Sequence, residues 1–476
     1  MRILMLGWEF PPHISGGLGT ACHGIVSGLG KIPDTKVIFV VPKVFGDEKV
    51  SNVTFAGANK YLERHSTIRN RRVRMVIPEG ESADIPFSNS ADKLIYVETA
   101  SMLHPYMQAE QIEKILVRKH IDPANVWFDD CGRMMTTVKG RKREVTLDFN
   151  DLQDVEEIPQ KFEFTGKYTS SLYAETGMFA RVSEQLAQQY DFDVIHAHDW
   201  LTYEAGIAIK QATGKPLVIH VHATEYDRSG GTVNPRVYNI EKHGMQQADS
   251  IITVSNLTRD ICVDKYGADP SKITTVYNAV DFSPAHHEVR KRDSEKIVTF
   301  LGRITFQKGP EYFLHAAYKV LQRVDNVRFV MAGNGDMYHS MINTAARLKI
   351  ADRFHFTDFL NRDEVKQLLS ISDVFVMPSV SEPFGIVPLE ALKSGVPVII
   401  SNQSGVSEVL RHALKVDYWD VNSMADAIHA LVKYPALNKF FVTHGRQEVD
   451  QMKWDNCAQN IYEVYKNTID NYRTNY

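Results

Sequence analysis

The sequence predicts two doubly wound α/β halves in one chain. Three observations carry this. Short, nearly continuous apolar runs alternate with segments of helical spacing, as parallel strands covered on both faces require. The alternation stops at a polar, turn-rich stretch near 280–295 and then starts again. The 476 residues exceed what one ordinary core holds.

In the first half the expected strands are RILMLG (2–7), KVIFVVP (36–42), KLIYVE (93–98), DVIHAH (193–198), PLVIHVH (216–222) and SIITVS (250–255). TACHGIVSGLGKI and ARVSEQLAQQY carry helical spacing between them. In the second half they are KIVTFLGR (296–303), VRFVMAGNG (327–335), RFHFTDFL (353–360), VFVMPS (374–379) and VPVIIS (396–401). DNCAQNIYEVYKNTIDNY closes the chain as a long helical pattern with aromatics on one side. The expected organisation is a first domain over 1–288, a second over 289–455 and a terminal helix over 456–476 that crosses back to the first. Residues 43–170 exceed the needs of a doubly wound domain and read as an insertion. Within it TTVKGRKREVTLDFND (136–151) reads as a charged hairpin that EEIPQKFEF continues.

Bulk properties narrow the function. Net charge is −4 with both signs interspersed, so no basic stripe offers itself to nucleic acid. No apolar run reaches the ~18 residues of a membrane span. IRNRRVRM (68–75) is the only candidate for a membrane-facing basic patch on the first domain and reads as a solvated turn. Cys22, Cys131, Cys262 and Cys457 are scattered without metal-ligand spacing or a disulfide framework, which fits a reducing cytoplasm. MRILMLGWEF reads as a buried first strand rather than a signal peptide.

Four stretches carry chemistry. GWEFPPHISGGLG follows the first strand and opens a helix at about Leu18, where glycines let backbone approach a ligand. It is not a dinucleotide fingerprint, because Cys22 stands at the third glycine and the second strand ends without an acid. A turn built only for packing is the other reading. HAHDW places His196, His198 and Asp199 at a strand end, and VIHVHATEYDR repeats the arrangement with His220, His222 and Glu225. Two such ends suggest a shared polar pocket, whereas a metal site lacks a third ligand at a recognisable spacing. Strand-end histidines that only satisfy backbone groups remain an alternative. GRITFQKG brings Arg303 and Lys308 to a helix start, suited to a diphosphate or simply a solvated loop. SEPFGIVPLEAL is a loop entering a helix near Gly385 or Ile386, with Glu382 before the helix and Glu390 more than one turn inside. The two acids either contact separate parts of an extended ligand or are a dipole-favourable acid and a solvated one.

In this order the four stretches resemble retaining glycosyltransferases of the two-Rossmann-domain GT-B fold, of glycosyltransferase family four, and are similar to bacterial glycogen and starch synthases. The resemblance covers roughly 1–42 and 170–470. It implies two domains facing a cleft and a nucleotide-sugar donor held mainly by the second. It implies that Glu382 holds donor-sugar hydroxyls, Glu390 takes the ribose, and Arg303 and Lys308 neutralise the diphosphate. Backbone N–H groups from Gly385 through Ile386 to Val387 would help, with Phe384 beside them. His198 would reach the sugar from the first domain, and Gly16 and Gly17 would cap the diphosphate. No metal and no other cofactor is expected, since fixed cations do the neutralising.

The chain departs from the starch-synthase pattern at Ile14, where a lysine is usual, and at Ser404, where the late glycine pair loses its first member; Glu408 is kept. The expected activity is transfer of a hexose, glucose, from ADP-glucose or UDP-glucose to an α-glucan in the cytoplasm. The alternatives are a lipid-linked, surface or small-sugar acceptor, and a non-catalytic sugar-nucleotide binding module. The failed fingerprint disfavours a dinucleotide-dependent oxidoreductase.

Overall fold

The computed structural model describes residues 1–13, 17–48, 50–68, 71–78, 96–97, 126–128, 134–138, 141–144, 160–161, 164, 172–284 and 295–475. Gly16 and Cys131 lie outside them. The first sheet begins with β1 (Arg2–Leu6), β2 (Lys36–Val41) and β3 (Val53–Gly57). A separate compact unit, Asn59–Glu163, then interrupts it. That unit holds β4 (Tyr61–Ile68), β5 (Arg71–Pro78), β6 (Tyr96–Val97), β7 (Val126–Phe128), β8 (Met134–Val138), β9 (Arg141–Glu144) and β10 (Gln160–Lys161). The first sheet resumes with β11 (Val194–His198), β12 (Leu217–Val221), β13 (Ser250–Thr253) and β14 (Ile273–Thr275).

Its order is β14-β13-β12-β11-β1-β2-β3, and every pair is parallel. β11 and β12 are buried along their whole length, so both faces need apolar residues and the alternation typical of a one-sided strand is absent. The second sheet comprises β15 (Lys296–Leu301), β16 (Val327–Ala332), β17 (Phe354–Phe356), β18 (Val374–Met377), β19 (Val398–Ser401) and β20 (Leu414–Val416). It runs β17-β16-β15-β18-β19-β20, again all parallel. In both sheets the order reverses beside the first strand, so ligand crevices open at the carboxyl ends of β1 with β11 and of β15 with β18.

Three expectations are corrected within the insertion. KLIYVE is not a strand of the parallel sheet: its described residues, Tyr96 and Val97, pair antiparallel with β5. The chain at Gln160–Lys161 does not extend the charged hairpin but pairs with β4. The hairpin itself is present as β8 and β9. IRNRRVRM is not a turn alone: Arg71–Met75 belong to β5, paired with β4. Short edge strands were missed: β14 and β20 have three residues each, too few to show a period, and β3, VTFAG, is buried only in part.

The helix Trp454–Asn475 packs on the helix Gly17–Leu29. The close approach requires glycine: a Cβ on Gly28 would sit 2.6 Å from the Ala458 Cβ and 2.7 Å from the Trp454 carbonyl. A further apolar cluster joins Val254, Val280 and Phe282, beside the first sheet, to Phe375, Phe384 and Leu389 of the second half. Among the described residues no helix is long and apolar enough to cross a membrane.

Candidate active site

Glu382 is a buried acid of the second half. It lies in the loop after β18 and is 7% exposed. Lys308, in the loop after the adjacent β15, donates to its Oε2 at 2.5 Å, and Ser379 Oγ donates to the same oxygen at 3.1 Å. The backbone pins the loop as well: Glu382 N–H donates to the Gln403 carbonyl, and Gly405 N–H donates to the Glu382 carbonyl. Ser404, where the sequence departs from a glycine pair, forms a parallel bridge with Glu382. Arg303 is exposed, and its Nη2 donates to Gln307 Oε1 at 3.4 Å. Gln307 is buried and in turn donates to the Ser381 carbonyl. Gly309 adopts φ 64° between this turn and the helix Pro310–Leu321, and a Cβ there would collide with the Pro378 carbonyl. The two loops are therefore locked together at backbone level.

The helix after Glu382 runs Val387–Lys393, with Pro388 in its first turn. It starts one or two residues later than the sequence suggested. Glu390 is thus its fourth residue, still in the first turn and not deeper inside. Its first N–H groups have no side-chain cap. Gly385 takes φ 98°, a conformation a side chain would strain, and Phe384 is buried beneath it. Burial pushes the Glu390 carboxyl up to about 7, with Arg362 pulling the other way.

On the first half, β11 and β12 bring four histidines together. Register pairs His198 with His220. His196, His198 and His220 are fully buried. His198 Nδ1 shares a proton with His222 Nε2 at 2.8 Å, and His196 Nδ1 meets the Tyr465 hydroxyl at 2.5 Å. Desolvation lowers all four: His196 and His222 to about 3, His198 and His220 well below the usual value. They are neutral at pH 7. Ring nitrogens of His196, His198 and His220 fall within 4.8 Å of one another. A third imidazole close to the first two thus comes from the neighbouring strand.

Asp199 follows at φ 57°, ψ 171°, a region almost reserved for glycine. Its carboxylate accepts from the N–H of His222 at 2.7 Å and of Ala223 at 3.3 Å, tying the ends of β11 and β12 together. Burial raises it to about 7. Gly17 opens its helix exposed, with open space around it, and Gly19 N–H donates to the buried Glu9. Cys22, at the position of the missing third glycine, is buried in the core.

The structure brings Lys308, Glu382 and the start of the Val387–Lys393 helix together, and separately His196, His198, His220 and His222. Sequence reasoning missed Ser379, and it missed Asp227, whose Oδ1 accepts from Ser381 Oγ at 2.5 Å and links the two halves. It kept Glu408 but not its place: its carboxylate accepts from the N–H of Asn256 and Leu257 and from the Tyr277 hydroxyl, across the halves. Single polar residues in loops carry no periodic signal; only a paired reading of both loops would have found these contacts.

Two Rossmann-like α/β domains with an insertion define a GT-B-type fold, the scaffold of nucleotide-sugar-dependent glycosyltransferases. The chain belongs to the glycosyltransferases. The model for Glycosyltransferase Family 4 matches residues 145–283, and that for Glycosyl transferases group 1 matches 281–448. An uncharacterized glycosyltransferase of Methanocaldococcus jannaschii is 31% identical over 295 residues, 58% of this chain and 75% of that protein. The glycogen synthase of Mycobacterium tuberculosis is 28% identical over 282 residues, 57% of this chain and 68% of that protein. In fold the chain is similar to the sucrose-phosphate synthase of Thermosynechococcus elongatus, with TM-score 0.65, 15% identity and 98% of each chain covered.

Proposed function

We propose that this chain transfers glucose from ADP-glucose or UDP-glucose to the non-reducing end of an α-glucan, with retention at the anomeric carbon. The observation that carries the reading is the Lys308–Glu382 contact at the mouth of β15 and β18. Both contacts to the Glu382 carboxylate fall on Oε2, which fixes its plane and leaves Oε1 to accept from a donor-sugar hydroxyl. The donor's diphosphate then lies over Gly385, Ile386 and Val387, within reach of Lys308 and the exposed Arg303. Gly17 approaches from the other half. Phe384 supports the turn, and Glu390 takes the ribose hydroxyls. His198 is buried, so its Nε2, which has no partner, reaches the sugar only when the donor displaces what covers it.

In the reaction the bond between the anomeric carbon and the diphosphate oxygen breaks, and its electron pair leaves with the diphosphate. The acceptor hydroxyl forms the new bond and gives its proton to the departing diphosphate oxygen. Charge therefore grows on the leaving group, where Lys308, Arg303 and the backbone N–H groups are already oriented to stabilise it. These cations make a metal unnecessary for turnover. The similarity to a glycogen synthase supports glucose and glucan. The buried free thiols of Cys22, Cys262 and Cys457 support a reducing, cytoplasmic setting.

The test is a donor-by-acceptor screen: ADP-glucose and UDP-glucose against glycogen and maltooligosaccharides, read as nucleoside diphosphate release. Acceptor-dependent release is expected with one donor. Release that no glucan stimulates would remove the acceptor assignment.

A further inference from the structure

The histidine grid holds more nitrogen than the proposed transfer uses. His196 Nε2, His198 Nε2 and both ring nitrogens of His220 are buried without any hydrogen-bond partner. Buried polar atoms are normally satisfied, so four orphans in one place point to an occupant. The occupant must accept or share lone pairs from several imidazoles at once.

The spacing fits one ion. Ring centroids lie 4.2 Å apart for His196 and His198, 5.3 Å for His196 and His220, and 5.4 Å for His198 and His220. Imidazoles sharing a tetrahedral ion at nitrogen distances of about 2.0–2.1 Å have centroids about 5 Å apart, so His220 stands at that separation from both others, and His196 and His198 would open by about 1 Å on binding. Two of the rings also have the outer partners that metal-bound histidines have. His196 meets Tyr465 through Nδ1, and His198 meets His222 through Nδ1. When each Nδ1–H donates outward, each Nε2 turns a bare lone pair inward. β11 and β12 supply this arrangement by register alone, since His198 and His220 are paired and His196 is two residues before His198 on the same face.

We propose that His196, His198 and His220 bind a single divalent cation of the zinc class, with the fourth position open. All-imidazole ligation selects zinc, copper, nickel or iron over magnesium or calcium. The site stands on its own geometry and does not depend on the donor assignment. It shares His198 Nε2 with the proposed sugar contact, so ion and donor sugar exclude one another there. The Cys22 thiol groups with His198 and His222 instead, on the other side of His198.

The test uses the full chain, stripped by dialysis against a chelator and titrated with Co2+, whose tetrahedral complexes absorb strongly in the visible. One Co2+ per chain is expected, displaced by Zn2+. His196→Phe and His220→Phe should each lower the affinity at least tenfold. Should either variant fail to fold, Tyr465→Phe removes only the outer hydrogen bond and should weaken binding about 10–100-fold. No visible Co2+ spectrum in the wild type would overturn the proposal and leave water as the occupant. Binding with a sulfur-to-cobalt band that survives His220→Phe would also overturn it, in favour of Cys22 and His222.

Discussion

Lys308 and Glu382 are joined at 2.5 Å although 74 residues separate them. They come from loops after neighbouring parallel strands, β15 and β18. The pair is part-buried with Lys308 the more accessible member, so losing Lys308 strands a poorly solvated carboxylate while losing Glu382 leaves a cation that water still reaches. In the proposed reaction a nucleotide sugar entering this point meets a cation and a carboxylate already held in register.

Glu382→Ala is expected to lower kcat at least ~100-fold, the scale of losing a fixed polar contact to the reacting sugar. Lys308 is then unpaired but retains solvent access, so the fold should survive. Circular dichroism and nucleoside diphosphate release check both halves of the statement. Full activity in a folded variant would end the site assignment.

Lys308→Ala should raise donor KM and lower kcat together, by ~10–1000-fold in kcat/KM, because the same charge binds the diphosphate and stabilises its departure. Lys308→Arg should recover part of it. Exhaustive chelation should leave turnover unchanged or raise it. A strong loss on chelation would contradict neutralisation by side chains.

Ser381→Ala removes the link to Asp227 and leaves Glu382 and Lys308 in place. A hydrogen bond to a carboxylate contributes ~1.5–3 kcal/mol, so the two halves should hold together less firmly. Donor KM should rise several-fold with a smaller change in kcat. Steady-state kinetics with saturating acceptor measure this.

Glu390 gives a pH signature. Its folded pKa is about 7, above the ordinary 4.5, because burial disfavours the charged form. Below 4.5 both states hold the proton; between 4.5 and 7 the unfolded chain alone loses it, so stability falls as pH rises through that window. Glu390→Gln cannot ionise. Relative to wild type it should gain stability on going from pH 4.5 to pH 8 in urea titrations, while its donor affinity falls. A difference that stays constant with pH would contradict the assignment.

How much of this was legible in the sequence depends on the kind of signal. Long buried strands such as KVIFVV show as apolar runs, and both sheets follow from them. β20 has three residues and one of them, Lys415, is charged, so no run exists to read. Within the site, Glu382, Glu390, Lys308 and His198 were visible because glycines, prolines and strand ends frame them. Asp227 and Ser379 were not: an aspartate in a capping box and a serine after a proline look like local turn chemistry. The role of His220 needed the register between β11 and β12, which no linear spacing encodes.

The most direct measurement is the proton NMR spectrum of the product formed from the active donor and a maltooligosaccharide. The account predicts a chain lengthened by one glucose through an α linkage, lost in Glu382→Ala. A β-linked product, or no elongation with either ADP-glucose or UDP-glucose, would contradict it.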